Sequence, residues 1–242
     1  MAINYIEAKP WEQPAYIDKI IEFVKKEKEY FIVLANLLHL YDTPDTDSAE
    51  KEERIQDLDD LIQTKGLDVI RTDEEITEFK AVIEDLYEEK PFPLSQTRGT
   101  ILEAIVLTFG PRSITSPVNL LRYNEPQIYD NTSLIGGNNC VIDAVFHDDR
   151  ETSTHIAEYI ECKASIDSLI KLRYFPRASK KARKKWSYIK SVYAYLSTNY
   201  FTPSIFIACY NYDVTDYQDK LNQNGLGHII ILNDEEVYNM IS

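Results

Sequence analysis

The fold is decided by two short apolar stretches, NCVIDAVFH at residues 139–147 and THIAEYIECKA at residues 154–164. Both are rich in the β-branched and aromatic residues that are typical of strands. The polar residues 148–153 between them suit a short connection. We therefore expect an antiparallel hairpin in this part of the 242-residue chain.

The expected hairpin brings three charged residues together. If its centre falls near residue 152, Asp143 lies directly opposite Glu161, and Lys163 shares the face of Glu161 because side chains two apart on a strand point the same way. Charges in such an apolar setting are costly unless they are exposed or hold a cation. Adjacent carboxylates suit a hard divalent ion such as Mg²⁺. The other interpretation is a cross-strand ion-pair patch on a polar face.

Further elements flank the hairpin along the chain. Residues 98–109 (RGTILEAIVLTF) predict a strongly apolar helix that ends at a Gly-Pro pair, and Glu103 interrupts its apolar run. This carboxylate lies either at the helix surface or close to a positive group. The other expected elements are a strand at 126–130, a helix at 177–196, a strand at 204–210, a short helix near 213–222 and a strand at 227–232.

The first 90 residues differ from the rest of the chain in composition and in the spacing of their apolar residues. They contain a single glycine, and the spacing of their apolar residues predicts helices over 16–40 and 48–64. Thr72 followed by Glu75 resembles a capping box that opens a third helix. This part of the chain is therefore expected to be an α-helical region.

Composition and charge divide the chain after residue 90, where two prolines follow the third helix. Residues 1–90 carry 24 acidic and 11 basic side chains, a net charge of −13, and residues 91–242 carry the other 16 acidic and 15 basic ones, a net of −1. Residues 163–190 nevertheless hold ten Lys or Arg against one Asp. The overall charge of −14 disfavours nucleic-acid binding, whereas this basic segment favours it on one surface.

Several protein classes are excluded by composition. Three cysteines without a CxxC pair argue against a disulfide framework and against a thiolate zinc site. The first residues lack the basic flank and apolar run of a signal peptide. The most apolar stretch, residues 30–41, has 12 residues, whereas a membrane helix needs about 20. We therefore expect a cytoplasmic protein with no membrane contact.

At the charged residues of the hairpin, the sequence resembles the PD-(D/E)xK nuclease superfamily, the restriction-endonuclease-like fold. The resemblance covers residues 91–232 and leaves 1–90 outside. It rests on Asp143 in IDAVF, on Glu161 and Lys163 in EYIECKAS, on Glu103 in the leading helix, and on the order of the helix and strand that follow.

The resemblance implies an α/β fold with an αβββαβ core, in which helices flank a mixed central sheet, preceded here by an α-helical region. Two positions depart from the family pattern. Ile142 stands where the motif has proline, a change that many members tolerate. Lys184 and Tyr188 occupy the spacing of the QxxxY motif of RecB-like members, so the subfamily stays open.

The resemblance also implies roles for single residues. Asp143 and Glu161 would coordinate Mg²⁺, with Mn²⁺ as a substitute, together with the backbone carbonyl of Cys162. Lys163 would contact the attacking water and the scissile phosphate. Glu103 would position the water shell of the metal or a second metal. The implied reaction is metal-assisted hydrolysis of a phosphodiester bond.

The basic helix is the expected nucleic-acid surface. Arg177, Lys180, Lys181 and Lys184 form one stripe at helical spacing, and Tyr188 lies one turn beyond it. A phosphate backbone requires basic side chains of this kind. The other interpretation is a solvated helix face, which is the usual role of a charge run.

Together these features predict a helical region over 1–90 for dimerisation, specificity or regulation, and a nuclease domain over 91–242. The predicted function is that of a Mg²⁺-dependent endonuclease, with double-stranded DNA favoured as substrate and a restriction or phage-defence role suggested by analogy of fold. A homodimer is expected, because cutting two strands takes two sites. One alternative is a non-catalytic nuclease-fold protein whose acidic region engages a basic partner. Another is a structural RNA-processing subunit without metal dependence.

Overall fold

The computed structural model describes residues 3–7, 15–88, 93–115, 117–137, 140–148, 156–172 and 179–241. Over these ranges the chain is an α/β protein with a mixed five-stranded sheet and a separate antiparallel three-stranded sheet. The helices are α1 (Ala15–Lys26), α2 (Glu29–Leu40), α3 (Ser48–Thr64), α4 (Leu67–Ile70), α5 (Asp73–Tyr87), α6 (Leu94–Phe109), α7 (Lys180–Asn199), α8 (Thr215–Gln223) and α9 (Asp234–Tyr238). The strands are β1 (Ile3–Glu7), β2 (Leu120–Asn124), β3 (Pro126–Asp130), β4 (Ser133–Leu134), β5 (Ala144–Asp148), β6 (Ile156–Lys163), β7 (Ser204–Cys209) and β8 (Ile229–Leu232).

The large sheet has the strand order β2-β5-β6-β7-β8. Its first three strands are antiparallel neighbours, and β6, β7 and β8 run parallel. The carboxyl ends of β6 and β7 therefore meet at one edge of the sheet, the kind of edge at which α/β proteins build their binding sites.

β5 and β6 form the expected hairpin, with Ala144 opposite Ile160. The same register, continued by one residue, sets Asp143 opposite Glu161, as the hairpin prediction requires. Every residue of β5 is buried, including the polar residues His147 and Asp148 at its end. The expected connection at 149–153 lies outside the described residues.

The two faces of the hairpin belong to different cores because successive strand residues point to opposite sides. Cys162 packs in the core that includes α6. Val145 and Tyr159 pack in the core that includes α7. By the same alternation, Asp143 and Glu161 belong to the α7 side of the sheet.

The helical region agrees with its sequence pattern in most places. The helix expected at 48–64 is α3, and the side chain of Asp47 caps it by accepting hydrogen bonds from the first backbone amides. Residues 16–40 form two helices instead of one. The break falls within the five consecutive charged residues 25–29, because α2 from Tyr30 onward is buried around most of its circumference and cannot take those charges inward.

The strands differ from the sequence expectation in two places. Residues 1–90 are not helical throughout, because β1 pairs with β3, with Ile3 opposite Asp130. The strand expected at 126–130 exists as β3 but belongs to the small sheet. The neighbour of the hairpin is β2, which the sequence pattern did not indicate. β2 is an edge strand without a fully buried residue, so it lacks a strong apolar signal.

One continuous apolar core joins the two halves of the chain. It combines residues of α1, α2, α5 and α6 with residues of β5, β6 and β7. Phe31 of α2, for example, lies against Tyr210, with ring centroids 6.5 Å apart. The division after residue 90 therefore marks a change of composition and not the end of a core. Among the described helices, none combines the length and apolarity that crossing a bilayer would require.

Candidate functional site

An open cavity of about 930 Å³ lies at the carboxyl end of β6. α6 contributes Glu103 to its lining, the hairpin contributes Asp143 and Lys163, and α7 contributes Lys181 and Lys185. Glu161 is not part of this lining and is 1% exposed, but its carboxylate contacts the lining residues Lys163 and Lys185. The fold therefore brings the four expected catalytic residues to one place, although they are spread over 60 positions of sequence.

Three hydrogen bonds fix Asp143 immediately before the first residue of β5. Its Oδ2 accepts a hydrogen bond from the backbone amide of Cys162 at 2.7 Å and one from Lys163 Nζ at 3.1 Å. Its backbone carbonyl accepts a hydrogen bond from the amide of Glu125 at 3.0 Å. These contacts orient the carboxylate, which is 4% exposed, toward the cavity that it lines.

Glu161 is a buried carboxylate between two ammonium groups. Its Oε2 accepts a hydrogen bond from Lys185 Nζ at 2.8 Å. Its Oε1 lies 2.6 Å from Lys163 Nζ, although no described residue donates a well-oriented hydrogen bond to this atom. Burial raises the pKa of Glu161 and the Asp143 carboxylate adds to the effect, whereas the two lysines act in the opposite direction.

Lys163 contacts both carboxylates of this cluster. Besides Asp143 and Glu161, its Nζ contacts the backbone carbonyl of Cys162 at 2.6 Å. Burial alone would lower the pKa of Lys163, but the two carboxylates outweigh burial and raise it above its ordinary value. The ammonium is therefore charged wherever the protein is folded near neutral pH.

Lys185 of α7 is a site residue that sequence reasoning missed. Its Nζ donates hydrogen bonds to the Val141 carbonyl at 2.7 Å and to Glu161 Oε2, and it lies 3.6 Å from Asp143 Oδ1. A signal was present, because Lys185 lies one residue before the buried Trp186 and one turn after Lys181. The pattern gave no indication of which side of α7 would face the hairpin.

Glu103 faces the cavity from α6. Burial and the nearby Asp143 carboxylate raise the pKa of Glu103 to about 8, with Lys163 acting in the opposite direction. Within the described residues, its side chain forms neither a hydrogen bond nor an ion pair. It is thus an acidic group that lines the site without belonging to the ion-paired cluster.

Of the described lysines in the expected basic stripe of α7, one lines the cavity. Lys181 lines the cavity, but Lys180 and Lys184 are exposed and do not line it. Arg177 lies outside the described residues. Their contacts with nucleic acid stay predictions, and Lys181 is the one whose position relative to the site favours such a contact.

The assignment of Tyr188 to the nucleic-acid surface was wrong. Its side chain is fully buried in the core beneath α7 and packs closely against Gly136, where a Cβ atom would lie 2.6 Å from the tyrosine ring. A side chain without exposed surface cannot stack on a base. The spacing that places Tyr188 one turn beyond Lys184 therefore reflects helix packing.

The donor set expected from the sequence for a divalent cation is Asp143, Glu161 and the carbonyl of Cys162. The part of the chain that the structure describes contains no group of three or more His, Cys, Asp or Glu side chains arranged around a common point. Mg²⁺ is usually held by only one or two carboxylates, with waters and substrate phosphates completing its shell. The two carboxylates therefore fit a magnesium ion, provided that the lysine ammonium groups move away from them.

Comparison with models of known protein families finds no match, and comparison with curated proteins finds no match either.

Proposed function

We propose that this protein is a metal-dependent nuclease that hydrolyses phosphodiester bonds, with double-stranded DNA as its substrate. The observation that carries the proposal is the cluster of Asp143, Glu161 and Lys163 at an open cavity lined by further lysines. Two adjacent carboxylates suit a divalent cation, and an ammonium beside them suits a phosphate.

The order of elements supports the same proposal. α6, β2, β5, β6, α7 and β7 follow one another as helix, three strands, helix and strand, with β3 and β4 inserted after β2. This is the order of the αβββαβ core of the PD-(D/E)xK superfamily, and the charged residues fall on the elements that carry them there. We therefore assign the restriction-endonuclease-like fold as part of the proposal.

Each residue of the site has a role in this reaction. Asp143, Glu161 and the Cys162 carbonyl would hold the metal, which when bound activates water and offsets negative charge on the phosphate. Lys163 stabilises the charge that develops on the phosphate oxygens. Glu103 orders water from the α6 side of the cavity.

Other nucleophiles fit the site less well. Burial raises the pKa of the Cys162 thiol well above its ordinary value, and the side chain packs in the core on the far side of the sheet from the carboxylates. A thiol in that state is a poor nucleophile. Attack by water on the phosphate is therefore the reaction that suits these residues.

Lys181 is the residue placed to bind the substrate backbone. It is exposed, lines the cavity one turn before Lys185, and forms no ion pair with a described carboxylate. An unpaired ammonium at the cavity surface suits a second phosphate of the same strand. Double-stranded substrate requires two such sites, so the proposal includes a homodimer on DNA.

The test is incubation of supercoiled plasmid with the intact protein in Mg²⁺, in Mn²⁺ and in EDTA. We expect nicked and linear products with either metal and none in EDTA. The variants Asp143→Asn and Glu161→Gln should lose cleavage, whereas Glu22→Gln on the exposed face of α1 should not. Binding of the plasmid without metal-dependent cleavage would overturn the nuclease proposal in favour of a non-catalytic binding protein.

A further inference from the structure

We propose that Lys185 is a built-in counter-ion of the carboxylate pair, so that the free protein binds a divalent cation weakly and binds it well only together with a nucleic-acid phosphate. This inference rests on the proposed nuclease function and concerns the regulation of the same site. It assigns Lys185 as a positioning residue.

Lys185 uses two of its N–H donors in hydrogen bonds within the protein, and its ammonium also lies near the second carboxylate. An ammonium has three N–H donors. Its neighbours are the Val141 carbonyl at 2.7 Å, Glu161 Oε2 at 2.8 Å and Asp143 Oδ1 at 3.6 Å. Lys185 is thus engaged with the protein itself, and it joins α7 to the start of β5 and to β6.

The charges of the cluster cancel. Asp143 and Glu161 each contact both Lys163 and Lys185, with all four N–O distances between 2.6 and 3.6 Å. Two carboxylates and two ammonium groups have no net charge, so the cluster attracts a divalent cation far less than a bare carboxylate pair would. A bound phosphate adds negative charge to the site, and it competes with the carboxylates for contact with Lys163.

Lys185 differs from the other lysines in this region. Lys163 lies on the strand of the site itself, and Lys181 has no described carboxylate partner. Lys185 is the residue that can be neutralised while the expected metal ligands and the phosphate contacts are left in place. Lys190, which is exposed on α7 and does not line the cavity, offers a matched control.

The first experiment titrates Mn²⁺ into the intact protein without nucleic acid and measures its affinity by calorimetry. We expect Lys185→Gln to bind Mn²⁺ at least about tenfold more tightly than the wild type, because one positive charge next to the ion is removed. Lys185→Arg, which keeps the charge, and Lys190→Gln should remain close to the wild type. Unchanged or weaker Mn²⁺ affinity in a folded Lys185→Gln protein overturns the inference.

A second measurement uses the wild-type protein and tests the inference even if Lys185→Gln does not fold. The Mn²⁺ affinity of the wild type is compared with and without a DNA duplex whose phosphorothioate linkages resist cleavage. We expect the duplex to increase the affinity at least about tenfold, and equal affinities overturn the inference. The plasmid assay separates the two failures, because cleavage with equal Mn²⁺ affinities removes only the role of Lys185, whereas absence of cleavage removes the nuclease function.

Discussion

The Asp143 carboxylate accepts a hydrogen bond from the backbone amide of Cys162, at 2.7 Å across the hairpin. The residue before Cys162 is Glu161 and the residue after it is Lys163. One backbone contact therefore fixes the distance between the two carboxylates and places the ammonium beside both. The candidate site is built around this hydrogen bond.

Replacing Asp143 separates its charge from its structural contact. In Asp143→Asn the side-chain oxygen can still accept the hydrogen bond from the Cys162 amide, so the fold should be retained. Loss of the charge should lower plasmid cleavage at least about 100-fold, because metal-assisted charge stabilisation contributes several kcal/mol to such reactions. The rate of nicking measures the loss of cleavage, and circular dichroism measures whether the fold is retained. Near-normal cleavage by this variant would remove Asp143 from the proposed site.

Lys163→Met should abolish cleavage as completely as Asp143→Asn. Both changes disrupt one unit, since Lys163 Nζ contacts Asp143, Glu161 and the Cys162 carbonyl. The double variant should consequently be no slower than either single variant. Rates that multiply in the double variant would show that the two residues act independently.

Arg54 supports the helical region from within. It is 1% exposed, forms a two-point ion pair with Asp45 at 2.9 and 2.7 Å, and lies 4.0 Å from the ring centre of Tyr87. Arg54→Ala should lower the free energy of unfolding by about 3 kcal/mol or more, because it leaves a partly buried carboxylate unpaired.

Urea unfolding measures that change, and Lys51→Ala serves as its control. The ion pair of Lys51 with Glu84 is exposed and 3.5 Å long, so its loss should cost less than about 1 kcal/mol. Equal effects of the two substitutions would contradict a structural role for buried Arg54.

A chain that begins at residue 91 should not fold. α6 and the hairpin share their core with α1, α2 and α5, and removing those helices would expose that face of the sheet to water. We expect weak near-ultraviolet circular dichroism and no cooperative thermal transition for residues 91–242. A sharp transition would show that the second half is an independent domain.

Lys181→Ala should weaken DNA binding and reduce its dependence on salt. If this residue neutralises one phosphate, the slope of log K against log salt should fall by about 0.9. Lys184→Ala, on the same helix but outside the cavity lining, should change the slope less. Fluorescence anisotropy of a labelled duplex over a range of salt concentrations measures both slopes. A larger change for Lys184 would favour the stripe expected from sequence over the cavity wall.

The local features of this chain could be read from its sequence. The bounds of α3 and its Asp47 cap follow from apolar spacing and from a side chain that satisfies its first amides. The register that sets Asp143 opposite Glu161 follows from the period of two along strands and from a short connection. These features depend on residues that are close in sequence, so their pattern is sufficient.

Which distant elements complete the site depends on tertiary packing. The pairing of β1 with β3 joins residues about 120 positions apart, and β2 is the neighbour of β5 although its own apolar signal is weak. The rotation of α7 put Lys185 against Glu161 and buried Tyr188, whereas its sequence suggested a different stripe. The sequence of a helix shows which residues share a face. Packing against the sheet selects the face that turns inward, because that choice depends on the shape and charge of a surface built from the rest of the chain.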